Sequence, residues 1–224
     1  MPHRNRVDPC GAIFASAARG TLMGNRGGVM HDDGQQIVRQ YAGRRWIACL
    51  LEFKGRRRVV MTPNRYTELF FLDEAVALAA GHRPCAECRR ARFNAFKAAW
   101  LSAELPHGGR FLLAGEMDTE LHRTRIDRER RHITWEASLS TLPDGCFIHW
   151  EGGNYLVWGD ALCLWSPEGY VAKRARQQLA AVTVVTPEPM VRCLRQGYEP
   201  DIHPSALALI RPASRPTSPR ADAD

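Results

Sequence analysis

The segment from Leu69 to Arg90 constrains this 224-residue chain more than any other stretch. It opens on an apolar, strand-like run, Leu69-Phe70-Phe71-Leu72. Asp73 then stands where a helix N-cap is expected, before an Ala-rich helix through Ala80 with Gly81 as its stop. It ends on Gly81-His82-Arg83-Pro84-Cys85-Ala86-Glu87-Cys88. A Cys-x-x-Cys pair can donate two thiolates to a metal, cycle as a redox couple, or be inert. A redox pair belongs at the start of a helix in a thioredoxin-like βαβ unit, and no such context surrounds Cys85. Zinc is the better reading. Pro84 removes a donor and fixes the approach to Cys85, and the helix expected to follow favours Cys88 as thiolate.

A zinc site takes about four ligands, and this motif supplies two. Cys49, in a strand-like run shortly before the knuckle, is the best third candidate, with a buried core cysteine as its alternative. His31 and Cys10 compete for the fourth place, and His82 can orient a ligand from beside the knuckle. The cysteines number seven, at 10, 49, 85, 88, 146, 163 and 193. An odd count with no apolar leader after the basic Met1–Arg6 stretch argues against a secreted disulfide framework. No run reaches the ~18 apolar residues of a membrane helix. The expectation is a cytoplasmic protein without a membrane partner.

Arginine dominates the charge. Lys and Arg number 31 against 24 Asp and Glu, a net charge of +7, and only Lys54, Lys97 and Lys173 are lysines. Residues 1–131 carry +9 and residues 132–224 carry −2. A basic part beside a near-neutral one suits a polyanion-binding surface, while a solvated face or coding bias gives the same count. Arg56, Arg57 and Arg58 on an expected hairpin and Arg89, Arg90 and Arg92 around the knuckle helix are the candidate phosphate contacts.

Local patterning places elements around these residues. Residues 1–45, rich in Gly and Arg, read as loop with at most short strands. Trp46–Phe53 and Arg57–Met61 read as a hairpin, Glu68–Leu72 as a strand, Ala86–Glu104 as a helix with Phe93, Phe96 and Trp100 on one stripe, and Glu116 to about Arg131 as a polar helix. After residue 132 come short strands at Cys146–Trp150, Tyr155–Trp158, Leu162–Trp165 and Val182–Thr186, a short helix at Val171–Leu179, and an ordered loop at Tyr198–Pro204. The fold class is α+β: an N-terminal zinc-knuckle region with helices, then an antiparallel β-meander. The divisions are 1–131, holding the knuckle within 46–104; 132–210, with a core that the two parts can share; and a disordered tail, 211–224.

The Gly81-x-Arg83-Pro84-Cys85-x-x-Cys88 core, with the strand and Ala-rich helix before it, resembles the metal-binding module of Ada-type DNA-methylation-repair regulators and related zinc modules of some bacterial nucleases. The resemblance spans about 22 residues, Leu69 to Arg90, and implies zinc and a role in bacterial DNA metabolism. The Ada module also carries an upstream Cys-x-x-x-Cys pair, one member of which accepts the methyl group. Here glycines, Gly24 to Gly28, occupy the corresponding stretch, so methyl transfer does not carry over.

Two further classes compete with a zinc-dependent nucleic-acid binder. One is an enzyme whose pocket is lined by the Gly24–Gly28 loop, Cys49, His122 and His203. In it, Asp118 and His122 share a helix face as a general base pair, although a solvated pair looks the same in sequence. The other is a protein-interaction module without chemistry. The Gly24–Gly28 loop can cradle a phosphate or be a plain turn, and Trp135, Trp150, Trp158 and Trp165 can stack bases or fill a core. An open metal position in a pocket favours the enzyme; a closed four-ligand site beside a continuous arginine surface favours the binder. Oligomeric state is open.

Overall fold

A computed structural model describes residues 1–56, 59–104, 113–176 and 181–210. It is α+β, with two six-stranded sheets and five helices among the described residues. The first sheet is built from β1 (Arg4–Val7), β2 (Ile13–Ala15), β3 (Leu22–Arg26), β4 (Trp46–Leu50), β5 (Leu69–Phe71) and β6 (Arg83–Pro84), in the order β2-β1-β5-β3-β4-β6. It is mixed: β1 runs parallel to β5 and β4 parallel to β6. The second comprises β7 (Trp135–Ala137), β8 (Phe147–Trp150), β9 (Gly153–Trp158), β10 (Ala161–Ser166), β11 (Gly169–Ala175) and β12 (Val182–Val184), ordered β11-β10-β9-β8-β12-β7 and antiparallel throughout.

Helix α1 (Glu74–Ala79) follows β5 as expected. Asp73 caps it, accepting the Val76 amide at 2.9 Å, and Gly81 beyond its end takes φ +79°. All six helical residues are buried; five are apolar, as a helix enclosed on every side requires, and the sixth, Glu74, is held by Arg89 and Arg92. The other helices are α2 (Arg90–Glu104), α3 (Ala114–Arg125), α4 (Glu188–Arg195) and α5 (Pro204–Ile210).

The second sheet is buried on both faces, and its residues sort by the two-residue period of a strand. Phe147, Leu156 and Cys163 pack toward α1 and the first sheet, in one cluster with Leu22, Ala48, Leu69 and Phe71. Their neighbours Ile148, Val157 and Leu162 pack toward α2, α3 and α4, with Phe96, Trp100, Leu121 and Met190. Residues from both parts of the chain therefore form one core cluster. Trp158 and Trp165 pack against the first cluster and Trp135 and Trp150 against the second.

Several local expectations are corrected. Residues 1–45 hold three strands, and Gly24 and Asn25 lie inside β3 rather than in a loop. Gly24 is required there by packing, since a Cβ would sit 2.4 Å from the Ile47 carbonyl oxygen and 2.6 Å from the Phe71 ring. β4 pairs with β3 and β6, not with a following hairpin strand; Val59 to Met61 are not strand, and Arg57 and Arg58 lie outside the described residues. α2 starts at Arg90, after a turn through 86–89. The expected helix at 171–179 is instead strand β11 through Ala175, because Tyr170 to Ala175 pair along β10. The expected tail, 211–224, lies outside the described residues.

Candidate metal centre and its cleft

Strand pairing brings the three thiols together. Cys49 lies near the end of β4. β6 runs beside β4 with Ala48 opposite Pro84, and the Cys85 amide donates to the Ala48 carbonyl at 2.9 Å. The turn after Cys85 returns Cys88 to the same place. The Sγ atoms of Cys49, Cys85 and Cys88 all lie within 4.8 Å of one another. These thiols can hold a metal ion.

The surroundings suit thiolates. The Leu50 amide donates to Cys88 Sγ and the Glu87 amide to Cys85 Sγ, each at 3.4 Å. Donation from the Cys49 thiol, with these amides, pulls Cys85 down to about 5 against the opposing effect of burial, and pulls Cys88 down as well. Cys49 is the group pushed up, since it donates to both neighbours. Three mutually close sulfurs, two of them favoured as thiolate, are a donor set that a soft or borderline cation binds by displacing the remaining protons.

All three cysteines line a cleft of about 730 Å3. Its floor is the outer face of the first sheet. In the register, Met23 stands between Cys49 and Phe70, and Asn25 is opposite Ile47. The strand period puts Met23, Asn25, Ile47, Cys49 and Phe70 on this face, with Glu68 just before β5, while Gly24, Ala48, Leu69 and Phe71 face the core. Arg19, Arg45 and Arg56 stand at its margin. A second cleft of about 680 Å3 shares Arg45, Ile47, Cys85 and Glu87 and continues to Arg44 and Thr119.

The other expected ligands lie elsewhere. His31 is buried, its Nδ1 2.6 Å from Thr67 Oγ1 and its Nε2 3.2 Å from the Thr62 carbonyl oxygen. Cys10 donates to Asn154 Oδ1 at 3.4 Å. His82 packs at a tilt against Trp46 and Phe71, with Nε2 accepting from Arg26 Nε at 3.2 Å. Among the described residues, no fourth His, Cys, Asp or Glu joins the three thiols at that spacing.

The expected catalytic residues do not converge either. Asp118 is locked in a buried two-pronged ion pair with Arg83, both contacts at 2.8 Å. His122 turns instead to Arg125, Nδ1 to Nη2 at 3.0 Å, and to the Tyr41 ring. Burial and the Arg125 and Arg44 charges bring its imidazole down to about 4. His203 Nδ1 meets Ser205 Oγ at 2.8 Å, against α5. Neither histidine lines the thiol cleft, although Gly24, Gly27, Gly28 and Cys49 do.

Two expected phosphate contacts are structural. Arg89 is buried and binds Glu74 Oε1 at 2.9 Å and Asp201 Oδ2 at 3.0 Å. Arg92 binds Glu74 Oε2 at 2.6 Å and the Glu199 carbonyl. Arg56 is exposed but paired with Glu87 at 3.0 Å, and Arg90 is exposed. The arginines bordering the clefts without an ion pair among the described residues are Arg19, Arg44 and Arg45. Sequence reading passed over them: Arg19 stands alone, and the adjacent Arg44 and Arg45 lie far along the chain from the Cys85–Cys88 motif. Glu68 was missed for a different reason: its place on the cleft floor depends on which strands pair. Comparison with protein-family models, curated proteins and solved structures gives no match. Among the described residues, no helix is long and apolar enough to cross a membrane.

Proposed function

We propose that the chain is a zinc-binding protein that engages nucleic acid through the thiol-lined cleft, in bacterial DNA metabolism, with Cys49, Cys85 and Cys88 holding the metal as a variant of the Ada-type module. One observation carries the reading: three mutually close thiols, two of them receiving amide N–H donation, stand in a cleft whose lining includes Arg19 and Arg45, neither of them in an ion pair among the described residues. Zinc accepts an all-sulfur set, and arginine suits phosphate because its planar fork donates two parallel bonds. Arg45 replaces Arg89 and Arg92 as the leading phosphate contact, joined by Arg19, Arg44 and Arg90.

The same cleft supports a second reading, a metalloenzyme. Zinc held by three protein ligands keeps a position for water or substrate, which is the catalytic arrangement. In that reading Glu52, Glu68 and Glu87, which line the cleft, are the acid–base groups to test, in place of His122 and His203.

The deciding measurements are metal content and salt-dependent binding. Native mass spectrometry of the full chain is expected to give one zinc per protein and none in Cys85→Ser. Affinity for nucleic acid is expected to fall with salt at a log–log slope of about −0.9 per duplex phosphate, or −0.7 per single-strand phosphate. The slope is expected to shrink in Arg45→Glu. Binding at low salt that ignores Arg44→Glu and Arg45→Glu would remove nucleic acid from the reading while leaving the metal in place.

A further inference from the structure

Zinc takes thiolate, imidazole and carboxylate ligands, and among the described residues no imidazole or carboxylate joins the three thiols. Glu87, between the two knuckle cysteines, is held by Arg56 at 3.0 Å. The nearest further donor along the sheet is a thioether. Met23 in β3 pairs directly with Cys49 in β4. The two side chains share the cleft face, where such a pair stands about 4.5–5.5 Å apart at Cβ, and Met23 lines the same cleft as all three cysteines. Met23 is 7% exposed yet belongs to neither core cluster, so the cleft side of the sheet buries it, not the core. Metal–sulfur bonds of ~2.3 Å to one ion span sulfurs up to about 4.6 Å apart. That matches a single ion among three Sγ atoms lying within 4.8 Å of one another. Thiolates with a thioether form a soft donor set that selects copper(I), whereas zinc is borderline and makes little use of a thioether.

We propose that Met23 is a fourth ligand of this site and that copper(I) displaces zinc from it. The three thiols hold either ion. Zinc leaves the fourth place to water or a substrate, while copper(I) draws in the Met23 sulfur, whose unbranched side chain has three rotatable bonds with which to reach it. The exchange is a ligand substitution without electron transfer: the copper ion enters as the zinc ion leaves, the sulfurs stay reduced, and a proton taken up at a thiol offsets the lower charge of the incoming ion. On its other side Met23 pairs with Phe70. That flank offers none of the nitrogen and oxygen ligands that suit copper(II). The inference rests on the metal-holding part of the proposed function and is independent of nucleic acid.

The test uses the full-length protein, reduced and kept free of oxygen. Copper(I) is supplied as its bathocuproine disulfonate complex, zinc is titrated against a chromophoric chelator, and native mass spectrometry counts the ions. One copper(I) is expected to displace one zinc. Met23→Leu keeps the side-chain volume and is expected to lower copper(I) affinity by about tenfold or more, the scale on which even a residue outside the ligand set alters metal affinity. Its zinc affinity and its melting without metal are expected to stay as in the wild type. Selenomethionine-labelled protein loaded with copper(I) is expected to show selenium–copper bonding in X-ray absorption at the selenium edge, and labelled Met23→Leu is not. Copper(I) that fails to displace zinc, or that binds wild type and Met23→Leu equally without selenium–copper bonding, would overturn the inference and leave the zinc site standing. A matching loss of zinc and copper affinity in Met23→Leu, again without that bonding, would make Met23 a packing residue and overturn it as well. Neither ion bound by the wild type would remove the metal reading itself.

Discussion

Replacing Arg89 by Met tests whether the basic residues after the knuckle hold the fold or contact a ligand. Glu74, at the first turn of α1, is 1% exposed and receives four donors: Arg89 Nη1 at 2.9 Å, Tyr198 Oη at 2.5 Å, Arg92 Nη2 at 2.6 Å and the Asp201 amide at 2.9 Å. Burial pushes this carboxyl up, but the Arg89 charge and hydrogen bond, with Tyr198 and Asp201, outweigh it and hold it below its ordinary value. Removing one partner of a buried pair costs about 3–5 kcal/mol, because a charge is left without compensation. Arg92, Tyr198 and the Asp201 amide remain, which argues for the lower end, about 3 kcal/mol. At 2–4 °C per kcal/mol for a chain of this size, Tm is expected to fall by roughly 6–12 °C. The double variant Arg89→Met/Glu74→Gln is expected to recover part of the loss, since it removes the stranded charge. The assay is thermal unfolding in zinc-saturated buffer, paired with nucleic-acid titration of the still-folded variant at low temperature. An unchanged Tm with a large fall in affinity would refute the structural assignment and return Arg89 to the phosphate-contact set.

Other outcomes follow from the same contacts. Because Glu74 is depressed in the fold, its contribution is present above its unfolded pKa and lost as pH falls through the folded one. Below about pH 4.3 wild-type stability is therefore expected to fall with acid, and that fall is expected to be shallower in Arg89→Met, which lacks the charge that depresses Glu74. His82 is held neutral, its imidazole brought well below the ordinary value by burial and the Arg26 and Arg125 charges, so stability is expected to drop as pH falls below about 6.5, by up to about 1.36 kcal/mol per pH unit. His82→Gln is expected to flatten that slope in denaturant titrations between pH 7 and 5, and an identical slope would contradict it. Cys49→Ser is expected to weaken zinc binding and to lower Tm only in the presence of the metal, as read by paired melts with and without chelator; equal melts and equal zinc content would return Cys49 to the core-cysteine reading. Gly81→Ala is expected to destabilise by more than about 1 kcal/mol, since φ is +79° and the new Cβ would lie 2.6 Å from Arg125 Cδ; an unchanged urea midpoint would refute this.

The Asp73-capped helix, its glycine stop and the Cys85–Cys88 pair were readable from local chemistry, because caps, glycine conformations and short ligand spacings act over a few residues. The strands at 147–150, 153–158 and 161–166 were readable for the same reason, as alternating apolar runs between turn residues. What lay beyond reach depended on partners far along the chain. Val171 to Ala175 became strand because an antiparallel neighbour was waiting, and residues 4–26 became three strands because β5 and β4 pair with them. Arg89 and Arg92 looked like surface cations until Glu74, Tyr198 and Asp201, up to 112 residues away from Arg89, enclosed them. The Asp118–His122 pair dissolved because Arg83 takes both Asp118 oxygens and His122 Nδ1 meets Arg125 instead. Cys49 could be nominated from its position, but only the β4–β6 pairing set its sulfur beside the other two. Glu68 could not be nominated at all: local sequence settles which residues alternate along a strand, whereas the order and register of β3, β4 and β5 decide which acidic, aromatic and thiol side chains face one cleft.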